Sequence, residues 1–173
     1  MEVSLSFYES VNFMKKVIII GCPGSGKSTF ARKLAEKTGI PLYYLDMMYW
    51  NADKTTVSKE IFDQRLCAVM EQDEWIIDGN YSRTMKMRFK ACDTVFFLDY
   101  PVEVCLEGVK SRFGKMRPDM PWIETEEDDE FIDFIRNYNV CNRPNVIELL
   151  EKYSNKNIII FHNREEAAAY ILR

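Results

Sequence analysis

Short apolar segments recur along the chain and alternate with longer stretches that have helical spacing. The apolar segments are rich in β-branched and aromatic residues and are bounded by polar residues, glycine or proline. They occupy residues 17–20, 42–45, 75–77, 94–98 and 157–161. Short, nearly continuous apolar runs are typical of parallel strands that are buried on both faces. The pattern therefore predicts five strands of one parallel sheet.

The segments between these strands predict helices with recognisable ends. Residues 27–37 carry an apolar face, and Gly39 supplies the usual stop. Ser58 predicts the start of a second helix. Pro101 predicts the start of a helix that runs to about residue 113, and Asn163 predicts the start of the last helix. Strands separated by helices imply crossovers that cover both faces of the sheet. We therefore predict an α/β three-layer sandwich in one domain, residues 14–173.

The acidic run at residues 124–130 has two interpretations, a metal site and a helix start. Thr125 followed by Asp128 is a capping signature, and carboxylates are stabilised near a helix N-terminus. Apolar residues continue at helical spacing after the run, and Pro144 is expected to break or restart that helix. We favour the helix start.

Composition narrows the class of protein. The chain has 173 residues and a net charge of −4, so DNA binding would require a local basic patch. The chain has five cysteines, without a Cys-x-x-Cys pair, and a single histidine. This composition argues against a zinc site or a disulfide framework and is typical of a protein in a reducing cytoplasm.

Residues 1–13 lack the features of a signal peptide and are interpreted as an N-terminal extension. No stretch approaches the length of a membrane span.

The sequence after the first strand matches the phosphate-binding pattern G-x-x-x-x-G-K-[ST] in full. The matching residues are Gly21, Cys22, Pro23, Gly24, Ser25, Gly26, Lys27 and Ser28, with Thr29 directly after them. Glycines let backbone amides approach phosphate oxygens, and the following helix N-terminus adds free donors. We expect the Lys27 ammonium to contact the β- and γ-phosphates and the Ser28 hydroxyl to bind Mg²⁺. The Thr29 hydroxyl is expected to donate a hydrogen bond to the α-phosphate. The loop predicts binding of ATP with Mg²⁺.

Three aspartates follow strands at the edge where this loop must lie. Asp46, Asp78 and Asp99 come directly after the second, third and fourth predicted strands. Ligands of open α/β sheets bind beyond the carboxyl ends of the strands, although a single such aspartate is often only a turn residue. We expect Asp78 or Asp99 to hold a magnesium water, and Asp46 to orient or deprotonate an acceptor hydroxyl.

A basic segment between the fourth and fifth strands predicts a short lid near residues 112–122. Arg112 and Arg117 are its candidate catalytic cations, because phosphoryl transfer needs positive charge around the departing phosphate. Arg83, Arg136 and Arg143 are further candidates.

Four motifs together resemble the adenylate-kinase-like "DNA topology modulation protein" (FlaR-related) family. They are residues 21–29, 77–84, 97–101 and 117–120, and the resemblance covers nearly the whole chain from Met14. It implies a five-stranded parallel sheet of nucleoside monophosphate kinase type with a reduced lid. It also implies that Asp78 takes the place of the Asp that precedes the substrate-binding Gly of adenylate kinases, and that Arg83 takes the place of their monophosphate-contacting Arg. Arg112 and Arg117 would belong to the lid. We therefore expect Asp46, Asp78 and Arg83 to bind the acceptor.

Two features depart from the adenylate kinase pattern. Gly108 lies where those enzymes carry an arginine, which predicts a missing nucleotide contact, and one extra residue separates Asn80 from Arg83. The acceptor is therefore left open between a nucleotide and another small molecule.

Three functions are consistent with these residues. The favoured one is an ATP-dependent phosphotransferase, a small kinase. The alternative is an ATP-responsive, DNA-associated regulator, supported only by the basic stretch Arg83, Lys86, Arg88 and Lys90. A nucleotide-binding scaffold with little catalysis is the third. Oligomeric state is not determined by the sequence.

Overall fold

The computed structural model describes residues 14–173. The predicted N-terminal extension, residues 1–13, lies outside the described residues. Within them, no helix combines the length and the apolar character that crossing a membrane requires.

Five parallel strands form one sheet, as the sequence predicts. They are β1 (Lys16–Gly21), β2 (Leu42–Tyr44), β3 (Trp75–Asp78), β4 (Thr94–Leu98) and β5 (Asn157–Phe161). Their order in the sheet is β2-β3-β1-β4-β5, and every neighbouring pair is parallel. β1 therefore lies at the centre, and the chain crosses from it to the outer strand β2 before returning through β3.

Eight helices accompany the sheet in the described part of the chain. They are α1 (Lys27–Thr38), α2 (Leu45–Tyr49), α3 (Lys59–Met70), α4 (Ser82–Ala91), α5 (Val102–Lys110), α6 (Asp129–Cys141), α7 (Arg143–Lys152) and α8 (Arg164–Leu172). The short helix α2 was not predicted: Leu45, assigned to a strand from its apolar character, is instead the first residue of this helix.

Several helix ends follow the predicted capping chemistry. The hydroxyl of Ser58 accepts a hydrogen bond from the amide of Ile61, and the side chain of Asn163 accepts one from the amide of Glu166. α1 ends at Gly39 in the left-handed conformation, with φ of 75°. Pro144 lies in the first turn of α7, where a missing amide proton costs nothing.

Two predicted helix boundaries are wrong. α6 is capped by Asp128, whose carboxylate accepts from the amides of Glu130 and Phe131, so Thr125 is not the cap. The end of the acidic run is a helix start, and within residues 14–173 no group of three or more acidic, His or Cys side chains is arranged for a metal. The helix from Pro101 ends at Lys110 rather than near 113, because the amide of Arg112 bonds to the carbonyl three residues back and the chain tightens into a turn.

The alternating residues of β1 divide the core into two layers. Ile18 and Ile20 face one cluster of buried side chains, and Val17 and Ile19 face the other; all four are 0% exposed. A strand covered on both faces has no solvent side, which explains its continuous apolar sequence. The three-layer arrangement places the carboxyl ends of β1, β2 and β3 at one edge of the sheet, where their following loops converge.

Candidate active site

The loop between β1 and α1 has the backbone geometry of an anion-binding site. Gly24 and Gly26 have φ of 85° and 93°, conformations that other residues adopt only with strain. Gly26 is the N-cap of α1 and provides no side chain to occupy the amides of the first helical turn. Those amides therefore remain available as donors at the positive end of the helix.

Most amides of the loop are not used within the protein. The amide of Ser25 donates to the carbonyl of Cys22 at 3.1 Å, so this one donor is committed. In the described part of the chain, no hydrogen bond uses the amides of Gly24, Gly26, Lys27 or Ser28. The Lys27 ammonium donates to the carbonyl of Cys22 at 3.0 Å, which holds it beside the same loop. The loop thus combines several free donors with one cation.

Helix α5 supports the loop from behind through two glycine contacts. A Cβ atom on Gly24 would lie 2.0 Å from the carbonyl oxygen of Cys105, and one on Gly108 would lie 2.0 Å from the carbonyl oxygen of Gly24. Neither distance can be tolerated, so both positions require glycine for backbone packing. The sequence predicted Gly108 only as a missing arginine contact, which stays a prediction; the structure adds a packing role.

Replacing Gly108 with valine is expected to weaken Mg-ATP binding about ten-fold or more, since overpacking of about 1–3 kcal/mol must displace α5 or the loop. Isothermal titration calorimetry measures the affinity. Glu107→Ala, an exposed position on the same helix, is the matched control and should bind as the wild type does. Wild-type affinity in Gly108→Val would show that α5 does not shape the loop.

Ser28 and Asp78 place two side-chain oxygen atoms together at the cavity wall, an arrangement that suits a magnesium ion. The Ser28 hydroxyl donates to Asp78 Oδ2 at 2.6 Å, while Asp78 Oδ1 is buried without a hydrogen-bond partner. Burial raises the pKa of Asp78 to about 6, although Lys27 and Ser28 act in the opposite direction. Mg²⁺ usually takes one or two protein ligands and completes its shell with phosphate and water. The orphaned carboxylate oxygen therefore fits this ion.

Asp46 lies in the same cavity, at the start of α2. One of its carboxylate oxygens accepts a hydrogen bond from the Tyr81 hydroxyl at 2.7 Å. Burial raises the pKa of the Asp46 carboxyl, and the Tyr81 hydrogen bond and the charge of Lys27 partly offset this rise. A carboxylate with a raised pKa, fixed by one hydrogen bond, is suited to accept a proton from a bound hydroxyl.

Asn80 and Arg88 organise the turn after β3, and sequence reasoning missed both roles. The Asn80 side chain accepts from the amide of Gly21 at 3.1 Å and donates to its carbonyl at 2.6 Å, which fixes the start of the phosphate loop. Arg88 is 0% exposed and donates to the backbone carbonyls of Gly79, Asn80 and Tyr81. Its pKa falls to about 10 because its charge is desolvated.

The burial of Arg88 corrects the interpretation of the basic stretch on α4 as a DNA-contacting surface. Arg88 faces the core, and the guanidinium of Arg83 is held by Asp63 on α3, with nitrogen–oxygen distances of 2.9 and 2.6 Å. Of the four basic residues, this leaves the two exposed lysines, Lys86 and Lys90, to form a positive surface. Two lysines on a protein of net charge −4 do not form a basic patch.

Replacing Arg88 with methionine is expected to lower the free energy of unfolding by about 2–4 kcal/mol, because buried carbonyls lose their donors. Chemical denaturation measures the loss. Lys86→Met, an exposed substitution on the same helix, should change stability by less than about 0.5 kcal/mol. If Arg88→Met also lowered the free energy of unfolding by less than about 0.5 kcal/mol, the result would contradict the structural role of Arg88.

Arg112 and Arg117 reach the cavity but are ion-paired there. Arg112 lies 2.7 Å from Glu124, and Arg117 lies 3.0 Å from Asp119 and 3.2 Å from Glu124. Arg112 also lies over the ring of Phe131, 5.6 Å from its centroid. These contacts hold the irregular segment 111–128 against the site. The two carboxylates that orient the arginines were not identified from the sequence.

Other predicted candidates lie away from the cavity. Arg83 is not among the described residues that line it, since its side chain points to α3. Asp99 accepts two hydrogen bonds from Arg143, both at 2.7 Å, so this aspartate is paired rather than available for a magnesium water. Arg136 pairs with Asp133 on the surface of α6.

One cavity of about 1520 Å³ connects the remaining candidates. Its wall includes the loop residues Pro23, Gly24, Ser25, Gly26, Lys27, Ser28 and Thr29, together with Asp46, Asp78, Arg112 and Arg117. Ligand pockets usually have volumes of about 300–1000 Å³. The cavity therefore has room for a nucleotide and a second small molecule.

Comparisons with solved structures agree with this architecture. The chain superposes on shikimate kinase from Acinetobacter baumannii in complex with shikimate with a TM-score of 0.62 and 18% identity, over 95% of this chain and 92% of that one. For shikimate kinase from Bacteroides thetaiotaomicron the TM-score is 0.56 and the identity 22%, over 92% and 96% of the two chains. At such identities the likeness establishes the fold, that of a P-loop kinase-like protein.

Sequence comparison finds adenylate kinases as distant relatives. Those of Thermotoga neapolitana and Thermotoga maritima are each 31% identical over 91 residues, or 51% of this chain. The match spans only 40% of the length of these adenylate kinases. The narrower resemblance to the FlaR-related family stays a prediction.

The family model that matches is described as AAA domain (dynein-related subfamily), and it covers residues 16–111. This range runs from β1 through the phosphate loop to the end of α5. Because it includes more than half of the chain, the protein belongs to the AAA domain family (dynein-related subfamily) of P-loop proteins.

Proposed function

We propose that the protein is an ATP-dependent phosphotransferase that transfers the γ-phosphoryl group to a small acceptor. The observation that carries the proposal is the shared cavity: free loop amides and Lys27 line one part of it, and Asp46 lines another. Phosphoryl transfer depends mainly on positioning and charge stabilisation, so a second substrate facing the phosphate loop is the decisive requirement.

The phosphate half of the cavity would hold Mg-ATP. The amides of Gly24, Gly26, Lys27 and Ser28 donate to phosphate oxygens, and Thr29 adds a hydroxyl near the α-phosphate. Lys27 leaves the Cys22 carbonyl, its partner at 3.0 Å, to contact the β- and γ-phosphates. Ser28 and Asp78 would hold the magnesium ion, which when bound neutralises charge on the β- and γ-phosphates.

The acceptor would lie beside Asp46. The Tyr81 hydroxyl fixes one carboxylate oxygen at 2.7 Å, and the other is left to meet the acceptor hydroxyl. Arg112 and Arg117 lie on the segment that borders the cavity. Together with Arg32 they share two carboxylates, Asp119 and Glu124, which leaves one net positive charge to stabilise the phosphoryl group in transfer. Arg83 is not part of this proposal, because its guanidinium is engaged by Asp63.

Incubation with Mg-ATP and a panel of small acceptors tests the proposal. ADP release should rise in the presence of one acceptor class, and Asp46→Asn should reduce this turnover about 10²–10⁴-fold while leaving ATP affinity within about two-fold. Slow hydrolysis that no acceptor stimulates would contradict transfer and support a nucleotide-binding scaffold. Failure to bind ATP at all would remove the basis of the proposal.

A further inference from the structure

The part of the cavity around Asp46 has a distinctive charge balance. We call it the acceptor half and define it by Asp46, Trp50, Tyr81, Asp119 and Trp122, all of which line the cavity. Two of its five residues are carboxylates. A phosphorylated acceptor entering this space would need uncommitted cations, because a dianion cannot be desolvated beside carboxylates without a large cost.

The arginines that border the acceptor half already have carboxylate partners. Arg117 donates to Asp119 at 3.0 Å, and Arg32 of α1 lies 3.7 Å from the other oxygen of the same carboxylate. Asp119 is only 4% exposed, so its ion pair with Arg117 is shielded from water, whereas the side chain of Arg32 remains 35% exposed. Arg117 has a second partner in Glu124 at 3.2 Å, and Glu124 also holds Arg112. Two carboxylates thus compensate two of the three arginine charges, and the remaining charge is the one assigned to the phosphoryl group in transfer.

Three further arginines surround the acceptor half but are turned away from it. Arg83 is bound by Asp63, Arg65 donates to the carbonyl of Met48 at 2.8 Å, and Arg88 is buried beneath the turn after β3. None of the three lines the cavity in the described part of the chain. Lys54 does line it, but its side chain is exposed at the rim, where water and salt screen its charge.

Aromatic side chains form the remaining wall. The rings of Trp50 and Trp122 meet edge to face, with centroids 5.0 Å apart and an interplanar angle of 87°. Trp50 lies just after α2 and Trp122 lies in the segment 111–128, so the pair closes the acceptor half from two sides. Indole rings bind flat apolar faces of ligands and retain one polar edge.

We infer that the acceptor is an uncharged ring compound with free hydroxyl groups, of the nucleoside or cyclic polyol class, rather than a phosphorylated one. The inference rests on the proposed phosphotransferase function. A ring face packs against Trp50 or Trp122, and a hydroxyl meets the free oxygen of Asp46. In the transfer step the hydroxyl oxygen bonds to the γ-phosphorus, the bond from that phosphorus to the bridging oxygen breaks, ADP leaves with the electron pair, and Asp46 takes the hydroxyl proton.

Matched pairs of acceptors test the inference directly. Nucleosides are compared with their 5′-monophosphates, and cyclic polyols with their monophosphates, by ADP release and by tryptophan fluorescence in the presence of a non-hydrolysable ATP analogue. The neutral member of at least one pair should have a kcat/KM at least ten-fold above its phosphorylated counterpart and should quench the fluorescence at lower concentration. Equal or better use of the phosphorylated members would overturn the inference and leave the proposed function intact.

The fluorescence readout separates failure of the inference from failure of the proposed function. Saturable quenching by neutral compounds without acceptor-stimulated ADP release would support the ligand class and contradict phosphotransfer. Tighter quenching by the phosphorylated compounds would contradict the ligand class whether or not turnover occurs.

Charge variants test the physical reason for the preference. Asp119→Asn frees Arg32 and Arg117 from their shared partner, so it should shift the ratio of kcat/KM at least five-fold toward the phosphorylated members. Asp63→Asn frees Arg83 outside the cavity and should leave the ratio unchanged. A shift in Asp63→Asn would mean that Arg83 serves the acceptor, contrary to the inference. The wild-type comparison stands by itself if Asp119→Asn does not fold.

Discussion

Replacing Lys27 with alanine is expected to reduce acceptor-stimulated ADP release by about 10²–10³-fold, the usual cost of losing one charge-stabilising donor in a transition state. The ammonium is the one cation that the structure holds within the loop itself, 3.0 Å from the Cys22 carbonyl. Its removal leaves the backbone donors in place, so ATP should still bind, but more weakly. Steady-state turnover and calorimetry measure the two effects separately.

Lys110→Ala is the matched control for this substitution. Lys110 is exposed at the end of α5 and does not line the cavity. The control should retain wild-type turnover and affinity. Wild-type turnover in Lys27→Ala would contradict the assignment of the loop as the phosphate site.

Replacing Asp78 with asparagine is expected to change stability and turnover in opposite directions. The carboxylate is buried with one oxygen unpaired, and its pKa is raised from 3.8 to about 6. A shift of that size corresponds to a cost of about 3 kcal/mol for keeping Asp78 ionised in the ligand-free protein at neutral pH. Asp78→Asn should therefore raise the unfolding temperature at pH 7 while reducing Mg²⁺-dependent turnover at least ten-fold.

The pH dependence follows from the direction of the same shift. Because the folded state holds the Asp78 proton more tightly than the unfolded state does, the cost is largest above pH 6 and disappears as the pH falls below 3.8. Between pH 7 and 5 the ligand-free wild type should gain stability relative to Asp78→Asn. Thermal unfolding at both pH values, with and without Mg-ATP, measures this difference. Parallel pH profiles for the two proteins would contradict the burial of an ionised Asp78.

The sheet and the phosphate loop could be predicted because their determinants are local. Five apolar runs mark strands buried on both faces, and the spacing from Gly21 to Ser28 specifies a loop that must follow the first of them. The same reasoning placed Asp46 and Asp78 at the correct edge of the sheet. Parallel strands share a carboxyl edge, so the position of each strand end is sufficient for that prediction.

The interpretations of Arg83 and Arg88 failed because tertiary contacts decide where these side chains lie. Helical spacing on α4 did not separate exposed Arg83 from buried Arg88, because a buried arginine that serves backbone carbonyls has the same sequence appearance as a solvated one. Similarly, Asp99 was an alternative to Asp78 for holding a magnesium water, but it pairs with Arg143, which lies 44 residues away along the chain. Gly108 was a detectable signal, since glycine inside a predicted helix often marks a close backbone approach.

The capping error at residues 124–130 has a local cause. Thr125 and Asp128 both have side chains that cap helices, and the sequence contains several acidic residues suited to a first turn. In the structure the Asp128 carboxylate accepts from the amides of Glu130 and Phe131 and so caps the helix. The preceding segment is folded back, with the amide of Gly114 donating to the carbonyl of Glu124 at 2.7 Å, a contact that no local sequence pattern contains.

Backbone amide chemical shifts during a titration with Mg-ATP test the central claim most directly. We expect the ¹⁵N–¹H resonances of Gly24, Gly26, Lys27 and Ser28 to move the most, because these amides have no acceptor within the described residues. The amide of Ser25, bonded to Cys22 at 3.1 Å, should shift less. A titration that leaves residues 24–28 unmoved while ATP binds, or that shows no binding, would contradict the account.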